Sequence, residues 1–174
     1  MAYKVLKKEM LNPTVFLMEV EAPLVARKAE PGQFIILRID EYGERVPFTV
    51  ADFDREKGTV TIIVQIVGKT TRDLSQVEAG DTIADFAGPL GHPTPLEGLK
   101  KVAVIGGGLG TAIAYPQAKK LHELGADVTV ITGFRNKDLV ILEDELKAIS
   151  NKLIVATDDG SNGNQGFVTD MLQK

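Results

Sequence analysis

The chain has 174 residues, 44% of them hydrophobic and 25% charged, and carries a net charge of -4 at pH 7. That balance belongs to a globular protein rather than a disordered one, and the length holds one domain or two small ones. With no cysteine, disulfides, thiolate metal sites and thiol nucleophiles are excluded.

Lys and Arg are scattered singly or in pairs, so no basic face for nucleic acid or an anionic membrane is expected. Residues 1–10 alternate charged and apolar side chains, which argues against a secretory signal, and no later run is long enough to cross a bilayer. A cytoplasmic location is the expectation.

In chain order, residues 15–20, 33–39, 48–51, 59–67 and 82–87 are short apolar runs rich in β-branched side chains. Turn chemistry separates them at Asn12-Pro13, Pro31-Gly32, Tyr42-Gly43 and Lys57-Gly58. Only residues 71–77 read as helix in this half, so a small antiparallel barrel or sandwich is predicted. The cluster Gly88-Pro89-Leu90-Gly91-His92-Pro93-Thr94-Pro95 reads as a linker or an ordered turn.

Beyond it the period changes. Strands are predicted over 101–105, 127–132 and 153–157, with helices over 112–124 and 139–149. Gly125 lies where a helix-terminating glycine belongs, and Pro116 is expected close to the first turn, where its missing N–H matters little. Alternating strands and helices predict βαβ units on a parallel sheet. The expected division is therefore an antiparallel barrel over residues 1–97 and an α/β nucleotide-binding domain over 98–174. Three parallel strands are half of a doubly wound sheet. The expectation is a truncated domain, with the chain being a fragment or a partner covering the open edge.

The strongest local pattern is Val102-Ala103-Val104-Ile105-Gly106-Gly107-Gly108-Leu109-Gly110-Thr111-Ala112, a buried strand running into a glycine turn and a helix. Glycines let backbone approach a pyrophosphate, and a helix start offers free N–H groups. A plain tight turn packing helix on sheet would use the same residues. Two further loops fall at the same ends of the predicted strands. One carries Arg135 and Lys137, cations that suit a 2′-phosphate or bulk solvent. The other carries Asp158 and Asp159, which suit a ribose or a turn.

In the first half, Arg45-Val46-Pro47-Phe48-Thr49 sets a cation, an aromatic ring and a hydroxyl at the start of a strand. Arg suits a phosphate, Phe a flat ring and Thr a ring nitrogen. Gly68-Lys69-Thr70-Thr71 opens a short helix and suits either a phosphate or simple capping. His92 and His122 lie apart, without partners in sequence, and the acids at 143–145 fit a solvated helix face.

Taken in order, Pro31-Gly32-Gln33-Phe34, Arg45-Val46-Pro47-Phe48-Thr49, Gly68-Lys69-Thr70-Thr71, Gly88-Pro89-Leu90-Gly91 and the glycine turn resemble the ferredoxin–NADP reductase superfamily. Residues 133–139 and 157–170 make the chain similar to two of its members: dihydroorotate dehydrogenase electron-transfer subunits, and small subunits of NADH-dependent ferredoxin:NADP oxidoreductases. The resemblance implies a six-stranded antiparallel barrel carrying FAD, an NAD(P)H-binding domain, and hydride transfer from NAD(P)H to the flavin. Electrons would then pass to a catalytic partner subunit of a hetero-oligomeric oxidoreductase.

It further implies that Arg45 meets the flavin pyrophosphate, Phe48 packs on the ring and Thr49, the catalytic candidate, stands near its reactive nitrogen. The backbone of Ile63, Val64 and Gln65 would line the ribityl and adenine side, and Gly68, Thr70 and Thr71 would bind phosphate. Gly106, Gly107, Gly108, Gly110, Thr111, Arg135 and Asp159 would serve the nicotinamide nucleotide. Full-length members of this subgroup carry a [2Fe–2S] cluster on cysteines, which this chain lacks. The alternative is a non-enzymatic scaffold whose shortened nucleotide domain serves partner binding.

Overall fold

A computed structural model describes residues 2–172, which form two compact units dividing between Thr94 and Pro95. The first holds strands β1 (Tyr3–Asn12), β2 (Val15–Glu21), β3 (Phe34–Arg38), β4 (Val46–Thr49), β5 (Asp52–Asp54), β6 (Thr59–Gln65), β7 (Thr82–Ile83) and β8 (Asp85–Leu90). Two short helices accompany them, α1 (Pro23–Ala26) and α2 (Lys69–Leu74).

These strands pair in two antiparallel sheets, ordered β5-β6-β2-β1-β7 and β4-β3-β8. Two kinks join the sheets. At the first, the Val50 N–H donates to the Gln33 carbonyl and the Ala51 N–H to that of Thr61, so β4 and β5 are one bent strand that changes sheets. At the second, the Ala84 N–H donates to the Ile39 carbonyl between β7 on β1 and β8 on β3. Counting each bent strand once gives six, and the order closes on itself: the expected six-stranded barrel.

Alternation fills its interior. Phe16, Met18 and Val20 on β2, Val60, Ile62 and Val64 on β6, and Ile35 and Leu37 on β3 are buried in one cluster, while their neighbours in sequence face outward. The Pro31-Gly32-Gln33 turn is fastened to the far end of the unit. Gln33 Nε2 donates to the Gly91 carbonyl, and the Thr94 N–H to that of Pro31.

The second unit contains β9 (Lys101–Gly107), α3 (Gly110–Glu123), β10 (Asp127–Phe134), a 3-10 turn (Lys137–Leu139), α4 (Glu143–Ala148), β11 (Lys152–Thr157) and α5 (Val168–Leu172). Its three strands are parallel, in the order β11-β10-β9, as in one half of a doubly wound sheet. Helices cover both faces. Gly106, the register partner of Thr132, faces the start of α3, whereas Gly133 faces Val168 of α5. Met171 of α5 packs with Ile131 and Ala156 on that second side. Among the described residues β9 has a neighbour on one side only, and Ile105 and Ile113 beside it are exposed.

Several boundaries differ from the sequence expectation. The helix predicted over 139–149 is a 3-10 turn followed by α4, because Leu142 adopts a left-handed conformation (φ 59°) and interrupts it. The helix predicted over 71–77 starts and ends earlier, as α2. Gly88-Pro89-Leu90 belongs to β8 rather than to a linker. Pro116 sits in the interior of α3, since the helix begins at Gly110, and its buried ring takes the place of an N–H that would have met Ala112.

Candidate functional site

Each unit presents its own group of candidate residues. In the barrel, Arg45 precedes β4 and lies one step beyond the last pair of the β3–β4 ladder, Leu37 with Val46. Its Nη2 is 2.9 Å from Asp85 Oδ2 on β8, and Arg38 Nε on β3 is 2.7 Å from the same oxygen. The Arg38 N–H is not aligned for a hydrogen bond, so that contact is one of charge.

Phe48 pairs with Ile35 and shares its inward face, half-buried against the barrel core. Thr49 pairs with Phe34 on the opposite face, also half-buried. On β6, Val64 points into the core beside Phe16, Ile63 faces the other way and is nearly buried, and Gln65 is exposed.

The turn into α2 is held by Thr71. Its hydroxyl oxygen accepts the N–H groups of Val67 and Gly68, each at 2.9 Å, and donates to the Gly68 carbonyl at 3.1 Å. The Thr71 hydroxyl is thus committed to the turn, while that of Thr70 donates to Glu44 at 3.3 Å. Lys69 donates to Asp73 at 2.7 Å, and that hydrogen bond raises its ammonium above the usual lysine range. The far end of α2 is tied by Lys8, whose Nζ donates to the Ser75 carbonyl and to Glu78.

In the second unit, the three loops at the C-terminal ends of the parallel strands are laced together. The Gly108 N–H donates to the Gly133 carbonyl at 2.8 Å, that of Asp158 to Phe134 at 2.9 Å and that of Asp159 to Arg135 at 3.3 Å. The Lys137 N–H donates to the Ser161 hydroxyl at 2.8 Å. Gly106, Gly107, Gly108, Gly110, Thr111, Arg135 and Asp159 are therefore gathered on one rim.

The glycines of this rim are not equivalent. A Cβ on Gly106 would lie 2.8 Å from the Thr111 Cα, and Gly108 has φ +52°. Beside Gly107 and Gly110 a Cβ would meet nothing within 4 Å, so that side of the turn is open. The Thr111 and Thr132 hydroxyls are buried, and among the described residues they have no hydrogen-bond partner. Arg135 and Asp159 are exposed.

Asp159 accepts hydrogen bonds from the hydroxyl and then the backbone N–H of Ser161, which hold its carboxyl below the usual range. Because the folded value is depressed, the hold is complete above the unfolded carboxyl value near 3.8 and is lost as pH falls through the folded one. The Ser161 amide resonance, followed by NMR, is expected to stay constant from neutrality to about pH 4 and to move only below it. Movement near pH 6 would contradict this.

Sequence reasoning missed Arg38 and Asp85, which single themselves out only through the cross-strand register. It also missed Asn162 and Asn164, whose side-chain amides donate to the Val155 carbonyl on the outer edge of β11. The density of Asn and Gly over 160–166 was the available signal.

A barrel closed by two sheet-switching strands, followed by a parallel sheet with a glycine turn, defines the ferredoxin-reductase-like fold. Residues 3–94 match the oxidoreductase FAD-binding domain, and the chain belongs to that family. It is 46% identical to the dihydroorotate dehydrogenase B (NAD(+)) electron transfer subunit homolog of Thermotoga maritima, covering 98% of this chain and 60% of that protein. To the dihydroorotate dehydrogenase B (NAD(+)) electron transfer subunit of Geobacillus thermodenitrificans it is 35% identical, covering 98% and 68%.

Among solved structures, that of an NADH-dependent reduced ferredoxin-NADP oxidoreductase, determined for insight into flavin-based electron bifurcation, superposes with TM-score 0.92 at 44% identity, covering 99% of this chain and 62% of that one. The ferredoxin reductase of carbazole 1,9a-dioxygenase, at 19% identity and TM-score 0.82 over 99% and 56%, shares the fold. The chain spans about 60% of the length of the Thermotoga relative.

Proposed function

We propose that this chain is the flavin- and nicotinamide-binding portion of an electron-transfer subunit, taking electrons from NAD(P)H and passing them to a redox partner subunit. The observation that carries this reading is the glycine turn. On a chain whose barrel is a FAD-binding domain, Gly106 seats α3 against the strand while a Cβ on Gly107 or Gly110 would meet nothing within 4 Å. Such a surface accepts a pyrophosphate on backbone N–H groups.

FAD, when bound, accepts a hydride and releases electrons singly. The protein's part is to bind and orient. Arg45, exposed and using one nitrogen, has donors left for the flavin pyrophosphate, and Thr70 offers a hydroxyl from the first turn of α2. Phe48 shapes the floor beneath the ring, and Thr49 presents a hydroxyl to its reactive nitrogen, the role that makes it the catalytic candidate. The backbone of Ile63, Val64 and Gln65 lines the ribityl and adenine side. On the rim of the parallel sheet, Arg135 and Asp159 hold the nicotinamide nucleotide. The partner subunit, the final acceptor and a cytoplasmic setting belong to this proposal as well; among the described residues no helix is long and apolar enough to cross a membrane.

The open side of β9 favours a second reading, a scaffold whose sheet edge serves a partner and which performs no redox step. The visible spectrum of the protein with added FAD, before and after anaerobic NADH and then NADPH, separates the two. A bound-flavin spectrum that bleaches is expected. Bound flavin that neither nucleotide reduces would remove the nucleotide part of the reading, and a failure to take up flavin would leave the scaffold.

A further inference from the structure

We infer that Asp85 is the positioning residue for Arg45, holding its guanidinium where the flavin pyrophosphate binds; this rests on the reading that Arg45 is the phosphate ligand. Three observations carry it. Arg38 and Asp85 are direct register partners across β3 and β8, and Arg45 extends the same row on the far side of β3, so the three side chains line up across three strands. Both guanidiniums converge on one oxygen, Asp85 Oδ2, at 2.7 and 2.9 Å. Arg45 is 63% exposed, and Asp85 is its one ion-pair partner among the described residues.

Without Asp85, two like charges would face each other across neighbouring strands, and Arg45 would swing away into solvent as a rotamer-rich side chain. With it, Arg45 is pinned through Nη2 alone. Nη2 has a second hydrogen, and among the described residues Nε and Nη1 have no partner, so one fork, Nη2 with either Nη1 or Nε, is left for the paired contact a guanidinium makes with phosphate oxygens. Arg38 takes up the rest of the Asp85 charge, so the carboxylate does not simply repel the incoming anion. An exposed ion pair adds little to folding stability. The effect of Asp85 is therefore expected in ligand affinity and not in the melting temperature.

The test is FAD titration of the wild-type chain, D85N, R45A and the double variant, with riboflavin as a probe that lacks phosphate. D85N is expected to weaken FAD about 5- to 10-fold, to leave riboflavin affinity unchanged and to shift Tm by less than about 2 °C. In the R45A background, D85N should cause no further loss. D85E, which keeps the charge, should recover part of the affinity. FAD affinity in D85N equal to or above wild type overturns the inference, as does an equal loss in the R45A background, which would mark Asp85 as merely structural. If D85N does not fold, R38Q tests the same row, since loss of the neutralising arginine should also weaken FAD but not riboflavin. R45A binding FAD as tightly as wild type would instead bring down the reading of Arg45 on which the inference rests.

Discussion

Replacing Gly106 with alanine is expected to lower the rate at which NAD(P)H reduces the bound flavin on the order of 10²-fold while leaving the flavin in the barrel. An alanine Cβ there would lie 2.8 Å from the Thr111 Cα and 3.0 Å from its nitrogen, both backbone atoms that no side-chain rotation can clear. The start of α3 must move away from the end of β9. That displaces the N–H groups of the turn, which hold the pyrophosphate of the nucleotide in this reading. Overpacking of this kind also costs about 1–3 kcal/mol of stability.

Gly107 supplies the contrast. Its Cβ would meet nothing within 4 Å and its φ is not in the left-handed region. Gly107→Ala should leave the melting temperature alone and weaken nucleotide affinity by intruding on the space the ligand fills. Stopped-flow reduction, flavin absorbance and thermal melts on both variants decide the matter. A Gly106→Ala protein reduced at the wild-type rate would show that the turn is only a packing device.

The contrast between these glycines marks how far the sequence could be read. The strand–glycine–helix pattern, the apolar runs of β2, β3 and β6 with their β-branched side chains, and the change of period beyond residue 95 reflect local physics that each segment carries by itself, and they were legible. β1 was not. Over residues 3–12 only Val5 is fully buried, and the row of Lys and Glu on its outer side hides a strand that lies inside the larger sheet, between β2 and β7. Lys8 looks like surface charge in sequence, yet its stem is buried and its ammonium ends on Ser75 and Glu78, almost seventy residues away.

Leu142 misled for a different reason. Apolar spacing over 139–149 fits one helical stripe, but a single left-handed residue, stabilised by burial rather than by local preference, splits it. At the barrel site, Arg45 and Thr49 stood out by chemistry alone. Arg38 and Asp85 did not, because what singles them out is a cross-strand row, and register is fixed by pairing partners distant in sequence. The commitment of the Thr71 hydroxyl to its own turn was equally hidden, since capping and phosphate binding ask for the same residues.

Phe16→Ala is expected to be the most destabilising single substitution in the barrel, at about 3–5 kcal/mol. Phe16 is fully buried on β2, opposite Val64 on β6 and Met10 on β1, and β2 is the middle strand of the larger of the two barrel sheets. Removing the ring leaves a cavity that its neighbours cannot fill by sliding, because β2 is hydrogen-bonded on both sides. Domains of this size have about 5–15 kcal/mol in all, so the loss takes a large share of it.

The consequence reaches the site. β6 carries Ile63, Val64 and Gln65 and leads directly to the Gly68 turn, and its register is set by its pairing with β2. Flavin should therefore leave at a lower urea concentration than in the wild type, together with the loss of barrel structure and not before it. Urea titration followed in parallel by flavin fluorescence and far-ultraviolet circular dichroism measures both. Coincident midpoints shifted downward are the expected result. Flavin released well before the barrel melts would mean that the core and the cofactor site are mechanically separate, and that β6 does not transmit the packing of β2 to the residues assigned to FAD.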